Sequence, residues 1–298
     1  MCYEMYRSAE AVYTAATEAG AWTATTLEPA KKGIFNMKRR MNNIFRADGK
    51  AFVLAMDHAQ MMPSPDLKDP GKIIRECVAG GVDAFLSSYG TVKNFAKDFQ
   101  RCGIILRSDG GNSFLRKPQS PMQCVFTIED ALRVGADALL CMAFPGSDNN
   151  EQTLEYAAEL ACEADKWGLP LGMEALPYGF EFGQHPDVDI RSIDNLSFAC
   201  RQACELGADF IKSEFVGGEA YKQVTENCYA PIMVLGGSKA KSDEEILSGI
   251  RAAMDNGAKG VIMGRTIYRS EKLAALCAAI NAVIHDDASV EEALKILG

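Results

Sequence analysis

Histidine is scarce in this chain of 298 residues: His58, His185 and His285 are all there are, and they lie far apart. A metal centre needs several ligands converging on one ion, so no histidine-rich metal site and no metal cofactor is expected. Ten cysteines are present, yet none forms a Cys-x-x-Cys pair. Several fall in helical or strand patterns like small core residues, which suits reduced thiols in a cytoplasm better than a disulfide framework. No apolar run is long enough to span a bilayer. The start, Met1-Cys-Tyr-Glu-Met-Tyr-Arg7, lacks a basic stretch leading into an apolar core, so no secretory signal is expected. Positive charge is short as well: 31 Lys and Arg against 40 Asp and Glu leave a net charge of −9. That disfavours a nucleic-acid surface. The composition that remains, 48% hydrophobic and 24% charged, fits one large barrel or two smaller domains.

One stretch stands out, Ala208-Asp-Phe-Ile-Lys-Ser-Glu-Phe-Val216. It reads as a buried strand of a parallel sheet, with Lys212 in its middle. A charged amine there is costly unless paired, and burial favours its neutral form. A neutral amine in an enclosed pocket attacks carbonyls and forms a Schiff base. The plainer reading makes Lys212 a strand-end lysine, or half of a buried ion pair with Glu214.

Residues 1–37 read as an extension, with a helical stretch at Ser8–Ala19 and a Thr-rich connector; residues 38–298 read as one catalytic domain. Met37–Phe45 reads as a short basic helix. Strands and helices then alternate eight times. The strands are Ala51–Met56, Val82–Ser87, Gly103–Arg107, Ala136–Met142, Leu169–Glu174, Ala208–Phe215, Pro231–Leu235 and Gly260–Met263. Apolar residues at three- and four-residue spacing mark helices between them, as in Gln152–Trp167, Leu196–Glu205 and Glu244–Asn256. Eight such units in about 240 residues predict an α/β fold, a TIM (β/α)8 barrel with an N-terminal helical extension. A weak repeat supports the count: Gly81-Val-Asp-Ala, Gly135-Ala-Asp-Ala, Gly207-Ala-Asp-Phe and Gly257-Ala-Lys-Gly each end a helix before an even-numbered strand. The alternative, a doubly wound open sheet, is disfavoured because no glycine-rich dinucleotide loop follows the first strand.

Chemistry in such a barrel gathers at the carboxyl ends of the strands. Strand one ends at Asp57-His58, and the aspartate is either a cap or a site carboxylate. Strand three ends Arg107-Ser-Asp-Gly-Gly-Asn-Ser113, either a loop or a contact for substrate hydroxyls or phosphate. Strand four ends near Ser147. Strand five ends Met173-Glu174-Ala-Leu-Pro-Tyr178, where Glu174 is an acid/base group or part of a structural ion pair. Strands seven and eight end Leu235-Gly236-Gly237-Ser238-Lys239 and Met263-Gly264-Arg265. Glycines let backbone N–H groups approach an anion, and these two loops are the usual phosphate site of the fold. A buried lysine, a strand-one aspartate and a phosphate cradle together fit carbon–carbon chemistry on a phosphorylated ketone.

On these segments the chain resembles the DhnA/FbaB-type class I aldolases, archaeal-type fructose-bisphosphate aldolases and their relatives within the DeoC/LacD-related superfamily. The matching stretches are Met37–Gln60, Arg107–Ser113, Phe210-Ile-Lys212-Ser, Leu235–Lys239 and Gly260–Arg265, from about residue 37 to about residue 270. The resemblance implies that Lys212 is the Schiff-base lysine and Asp57 the strand-one carboxylate. It implies that Gly236, Gly237, Ser238, Gly264 and Arg265 bind phosphate; from their places at the strand ends, His58, Arg107, Ser147 and Glu214 are expected as further substrate or phosphate contacts. It also implies a metal-independent reaction without cofactor, on a phosphorylated small molecule, by a homo-oligomer that is often a decamer. The family's strand-five tyrosine is replaced by Leu176, so Tyr178 or Glu174 is expected to take over its acid/base role. Alternatives to a sugar-phosphate aldolase are an LsrF-like acyl-transferring thiolase, a sugar-phosphate-binding barrel without catalysis, and a metal-dependent aldolase.

Overall fold

The computed structural model describes residues 38–111, 113–115, 122–181, 183–236 and 242–298. The expected helix at 8–19, and the extension as a whole, lie outside the described residues.

Eight parallel strands close into a barrel in sequential order: β1 (Ala51–Ala55), β2 (Ala84–Ser87), β3 (Gly103–Arg107), β4 (Ala138–Ala143), β5 (Leu171–Ala175), β6 (Phe210–Ser213), β7 (Ile232–Leu235) and β8 (Gly260–Met263). The strand ends read from sequence are shifted by no more than two residues. Helices cover the outside at the expected places, among them Asn150–Trp167, Ile193–Glu205 and Asp243–Asp255. Ser192 and Ser242 start the last two by accepting the Asn195 and Glu245 N–H groups, satisfying donors that have no partner inside the helix. The basic helix expected at 37–45 is instead a single 3-10 turn, Arg39–Asn43. After β3 the chain makes a small antiparallel ribbon, Asp109–Gly110 with Gln123–Cys124. Among the described residues, no helix is long and apolar enough to cross a membrane, and the described cysteines are free thiols.

The repeat glycines Gly81, Gly135, Gly207 and Gly257 all have φ between 77° and 98°, the left-handed conformation that ends a helix cheaply only at glycine. The aspartate two residues later has its own task. Asp83, Asp137 and Asp209 accept the backbone N–H of Phe52, Ile104 and Leu171 at 2.7, 3.0 and 2.8 Å. Each therefore clamps the start of the preceding odd-numbered strand. These aspartates are hooked in turn from the entry segment, by Arg46 at 2.5 Å, Asn43 at 2.6 Å and Lys38 at 2.9 Å. The same segment drives Met41, Ile44 and Phe45 into the amino-terminal mouth of the barrel as a plug.

Above the plug the barrel is filled by Val53, Leu86, Ile105, Leu140, Phe210, Met233 and Ile262. Phe210 lies opposite Gly172 of β5. A Cβ at Gly172 would stand 2.2 Å from the Phe210 ring, so glycine is what admits the aromatic there. Side chains alternate along a strand, and Lys212, two residues after the inward Phe210, therefore points up the same interior toward the carboxyl-end mouth.

Candidate active site

Lys212 is 6% exposed and lies beside Glu174 in the β5–β6 register. Its Nζ is 3.0 Å from Glu174 Oε2, so the buried amine is half of an ion pair, but not with Glu214. The chain leaves β6 after Ser213, and Glu214 turns to Arg191, whose Nε donates to it at 2.5 Å. Arg191 also donates to the Pro177 and Gly179 carbonyls, tying the loop after β5 to the end of β6.

Beneath the amine, Arg107 is 1% exposed. Its Nη2 donates to Glu174 Oε2 at 2.6 Å, its Nε to Asp57 Oδ2 at 2.8 Å and its Nη1 to Asp109 Oδ1 at 3.3 Å. The Tyr156 hydroxyl, at 2.9 Å, and the Met142 N–H also donate to Asp109. Burying three carboxylates is costly unless they are paired, and one planar guanidinium serves all three. Burial opposes the charge of Asp57, but Arg107 and then Lys212 outweigh it and hold that carboxyl well below its ordinary range. Burial likewise opposes Glu174, and Lys212 and Arg107 still lower its pKa. For Asp109 burial prevails over Arg107, and its pKa is raised.

His58 follows Asp57 in a short 3-10 turn. Its Nδ1 is buried without a hydrogen-bond partner, and at 3.7 Å from Asp57 Oδ1 it is too far for one. Burial lowers its pKa below 6.5, Asp57 working against that shift and Lys212 and Arg265 with it. The imidazole is therefore neutral at pH 7.

Lys212, Glu174, Arg107, Asp57 and His58 line a chamber of about 1030 Å³ at the carboxyl ends of the strands. Gly236, Gly264, Arg265 and Glu214 lie on its wall too. At Gly264 a Cβ would stand 2.2 Å from the Ala55 carbonyl oxygen, so glycine permits β8 to press against the end of β1. Among the described residues lining the chamber, Arg265 is the one cation with no carboxylate in ion-pair range. No three His, Cys, Asp or Glu side chains among the described residues are placed to ligate a metal. The carboxylates that do converge converge on Arg107.

Several expected contacts take other roles. Gly237 and Ser238 lie outside the described residues. Arg107, expected to touch substrate hydroxyls or phosphate, lines the chamber with its guanidinium spread over three carboxylates. Glu214 lies on the chamber wall with its carboxylate paired to Arg191. Ser147 stays in its own turn: its hydroxyl donates to the Phe144 carbonyl at 2.9 Å and accepts the Asn149 N–H at 3.1 Å. Tyr178 is not on the chamber wall. Its φ of 59° turns the ring onto Gly146 and onto His185, 4.7 Å between ring centres. The residue facing the chamber there is Leu176. Reading the sequence missed Asp109 and Arg191 as partners of this site; Asp109 lay within a recognised strand-end motif, whereas no local pattern marks Arg191.

The model of the DeoC/LacD family aldolases matches residues 51–270. The 2-amino-3,7-dideoxy-D-threo-hept-6-ulosonate synthase of Halobacterium salinarum is 35% identical over 261 residues, covering 87% of this chain and 95% of that protein. An uncharacterized aldolase of Saccharolobus solfataricus is 32% identical over 270 residues, covering 87% and 97%. Among solved structures, a Schiff base-forming fructose-1,6-bisphosphate aldolase superposes with a TM-score of 0.75 at 24% identity, over 84% of this chain and all of the other. An archaeal fructose 1,6-bisphosphate aldolase gives the same values, and both show the shared barrel. Family model and relatives agree with the resemblance carried by the strand-end motifs: the chain belongs to the DeoC/LacD family of aldolases.

Proposed function

We propose that this protein is a class I aldolase, making or breaking a carbon–carbon bond in a phosphorylated ketose through a Schiff base on Lys212. The observation that carries the reading is the Lys212–Glu174 contact of 3.0 Å at the floor of a chamber whose wall holds an uncommitted arginine, Arg265.

Glu174 takes a proton from the Lys212 ammonium, and the freed amine attacks the ketone carbon. A C–N bond forms, the carbonyl oxygen leaves as water, and an iminium remains. In cleavage the hydroxyl on the acceptor carbon gives up its proton, the adjacent C–C bond breaks, and the electron pair flows into the iminium to give an enamine and a free aldehyde. A proton then adds to the enamine carbon, and water returns the amine and the ketone phosphate. Asp57, held anionic by Arg107, accepts the substrate hydroxyl and orients it. His58, neutral and with a free ring nitrogen, exchanges the hydroxyl proton in place of the missing tyrosine. The phosphate lies against Gly236, Gly264 and Arg265.

Borohydride reduction in the presence of dihydroxyacetone phosphate tests this directly. The expected result is one adduct, on the peptide carrying Lys212, absent in Lys212→Met. Bound phosphate ligand with no adduct on any lysine sinks the reading. Because the H. salinarum relative is named as a synthase, bond formation is to be assayed beside cleavage. Free thiols support a cytoplasmic setting, and sedimentation measures the homo-oligomeric assembly that the resemblance implies.

A further inference from the structure

We propose, resting on the Schiff-base reading, that the face of the chamber formed from β4 and β5 is an acceptor subsite for an aldehyde whose far end is hydrocarbon rather than phosphate or polyol. The two sides of the chamber differ in chemistry. Toward β1, β3 and β8 stand Asp57, His58, Arg107 and Arg265, with Met62, Pro63 and Phe114 in the loops beyond, and Glu174 of β5 lies at the floor against Lys212. Across Lys212 stand Met142, Leu176 and Phe180, with Met61 and Leu235 flanking them.

The loop after β5 makes this face apolar by the way it spends its polar groups. Tyr178 turns onto Gly146 and His185. Glu181 accepts the Asp148 N–H at 2.7 Å and faces His185 Nε2 at 2.9 Å. Arg191, which has further contacts besides, donates to Pro177, Gly179 and Glu214. What the loop leaves toward the chamber is Leu176, Phe180 and the single amide of Gln184. Leu176 packs in one cluster with Met122, Met142 and Phe144, and the Phe180 ring meets Phe144 edge-on at 5.3 Å. A phosphate or a row of hydroxyls lying there would shed its water without regaining hydrogen bonds. A methyl or methylene chain would gain burial.

In this subsite the enamine carbon of the donor attacks the aldehyde carbon. His58 first takes the proton that the donor iminium loses from its α-carbon as the enamine forms; then the C–C bond forms, the carbonyl electron pair passes to its oxygen, and that oxygen takes this proton back from His58. Water then hydrolyses the iminium and frees Lys212.

The test pairs dihydroxyacetone phosphate as donor with propanal or glyceraldehyde 3-phosphate as acceptor. Propanal is expected to give a kcat/KM at least about tenfold higher, the scale on which apolar pockets discriminate. Phe180→Arg places a cation at an exposed position, Phe180 being 46% exposed, and is expected to move that ratio at least about tenfold toward the phosphorylated aldehyde. Equal or better use of glyceraldehyde 3-phosphate by the parent protein, or an unchanged ratio in Phe180→Arg, overturns the subsite. Borohydride trapping with the donor alone separates the two readings. An adduct on Lys212 with the acceptor preference reversed removes only the subsite, whereas no adduct removes the Schiff-base mechanism and the subsite with it.

Discussion

Glu174 presents a single oxygen, Oε2, to two cations: Lys212 Nζ at 3.0 Å and Arg107 Nη2 at 2.6 Å. When Lys212 gives up its proton, Glu174 still has Arg107 to hold it in place. The base is thus kept in position through the step in which the amine becomes a neutral nucleophile.

Lys212→Met is expected to abolish borohydride trapping and lower kcat/KM on the order of 10³-fold or more. Glu174→Gln keeps the hydrogen bond of Arg107 but cannot accept a proton. It is expected to slow Schiff-base formation by about 10²–10⁴-fold, read by rapid-quench trapping, with phosphate affinity retained.

Arg107→Met leaves three carboxylates buried around an apolar chain. Its loss is expected to cost about 3–5 kcal/mol in urea unfolding at pH 7. The sign with pH is also fixed. In the parent protein Asp57 and Glu174 have lowered pKa values, so their contribution is present above the unfolded carboxylate range near 4 and is lost as pH falls through the folded values. Without Arg107 only Lys212 is left to oppose burial, so both values rise above those of the parent protein, and the deficit of the variant should shrink as the pH is lowered from 7. A deficit independent of pH would contradict this account.

For His58, a pKa held below 6.5 places the acid limb of the kcat/KM profile below that pH, since protonation removes the base. His58→Asn is expected to lose that limb and about 10²-fold in kcat. A limb that survives the substitution assigns it to another group.

His285 tests the opposite sign at the opposite mouth of the barrel. Its two ring nitrogens face Asp48 at 2.8 Å and Asp83 at 2.9 Å. Burial and Arg46 oppose its charge, but these carboxylates prevail and raise its pKa above 6.5. The stability it contributes is complete below the unfolded value and fades as pH rises through the folded one. The urea midpoint of the parent protein should therefore fall relative to His285→Gln as pH is raised from 6 to 9.

The barrel was legible because its signals are local. Helix periodicity, the strand runs and the four glycine turns each lie within a dozen residues. Lys212, Asp57 and Glu174 were legible because they interrupt apolar strands at their carboxyl ends. Their partners were harder to foresee. The pairing of Lys212 with Glu174 depends on the register between β5 and β6, and the close spacing of Lys212 and Glu214 in sequence suggested the wrong acid. Arg191 reaches Glu214 across 23 residues of chain. The removal of Tyr178 from the chamber depends on one left-handed φ at a non-glycine residue, for which no residue type is a reliable marker.

The hooks from the entry segment to the repeat aspartates answer a problem of symmetry. A barrel built of four similar quarters offers a plug four equivalent seats, a quarter-turn apart. Three quarters carry an aspartate, at Asp83, Asp137 and Asp209, and the fourth carries Lys259. Only one seat gives Arg46, Asn43 and Lys38 all three acceptors; every other would bring one of these donors against the lysine. One broken repeat thereby acts as a keyway: all three wrong rotations lose contacts, and the two that set Arg46 or Lys38 against Lys259 also meet repulsion.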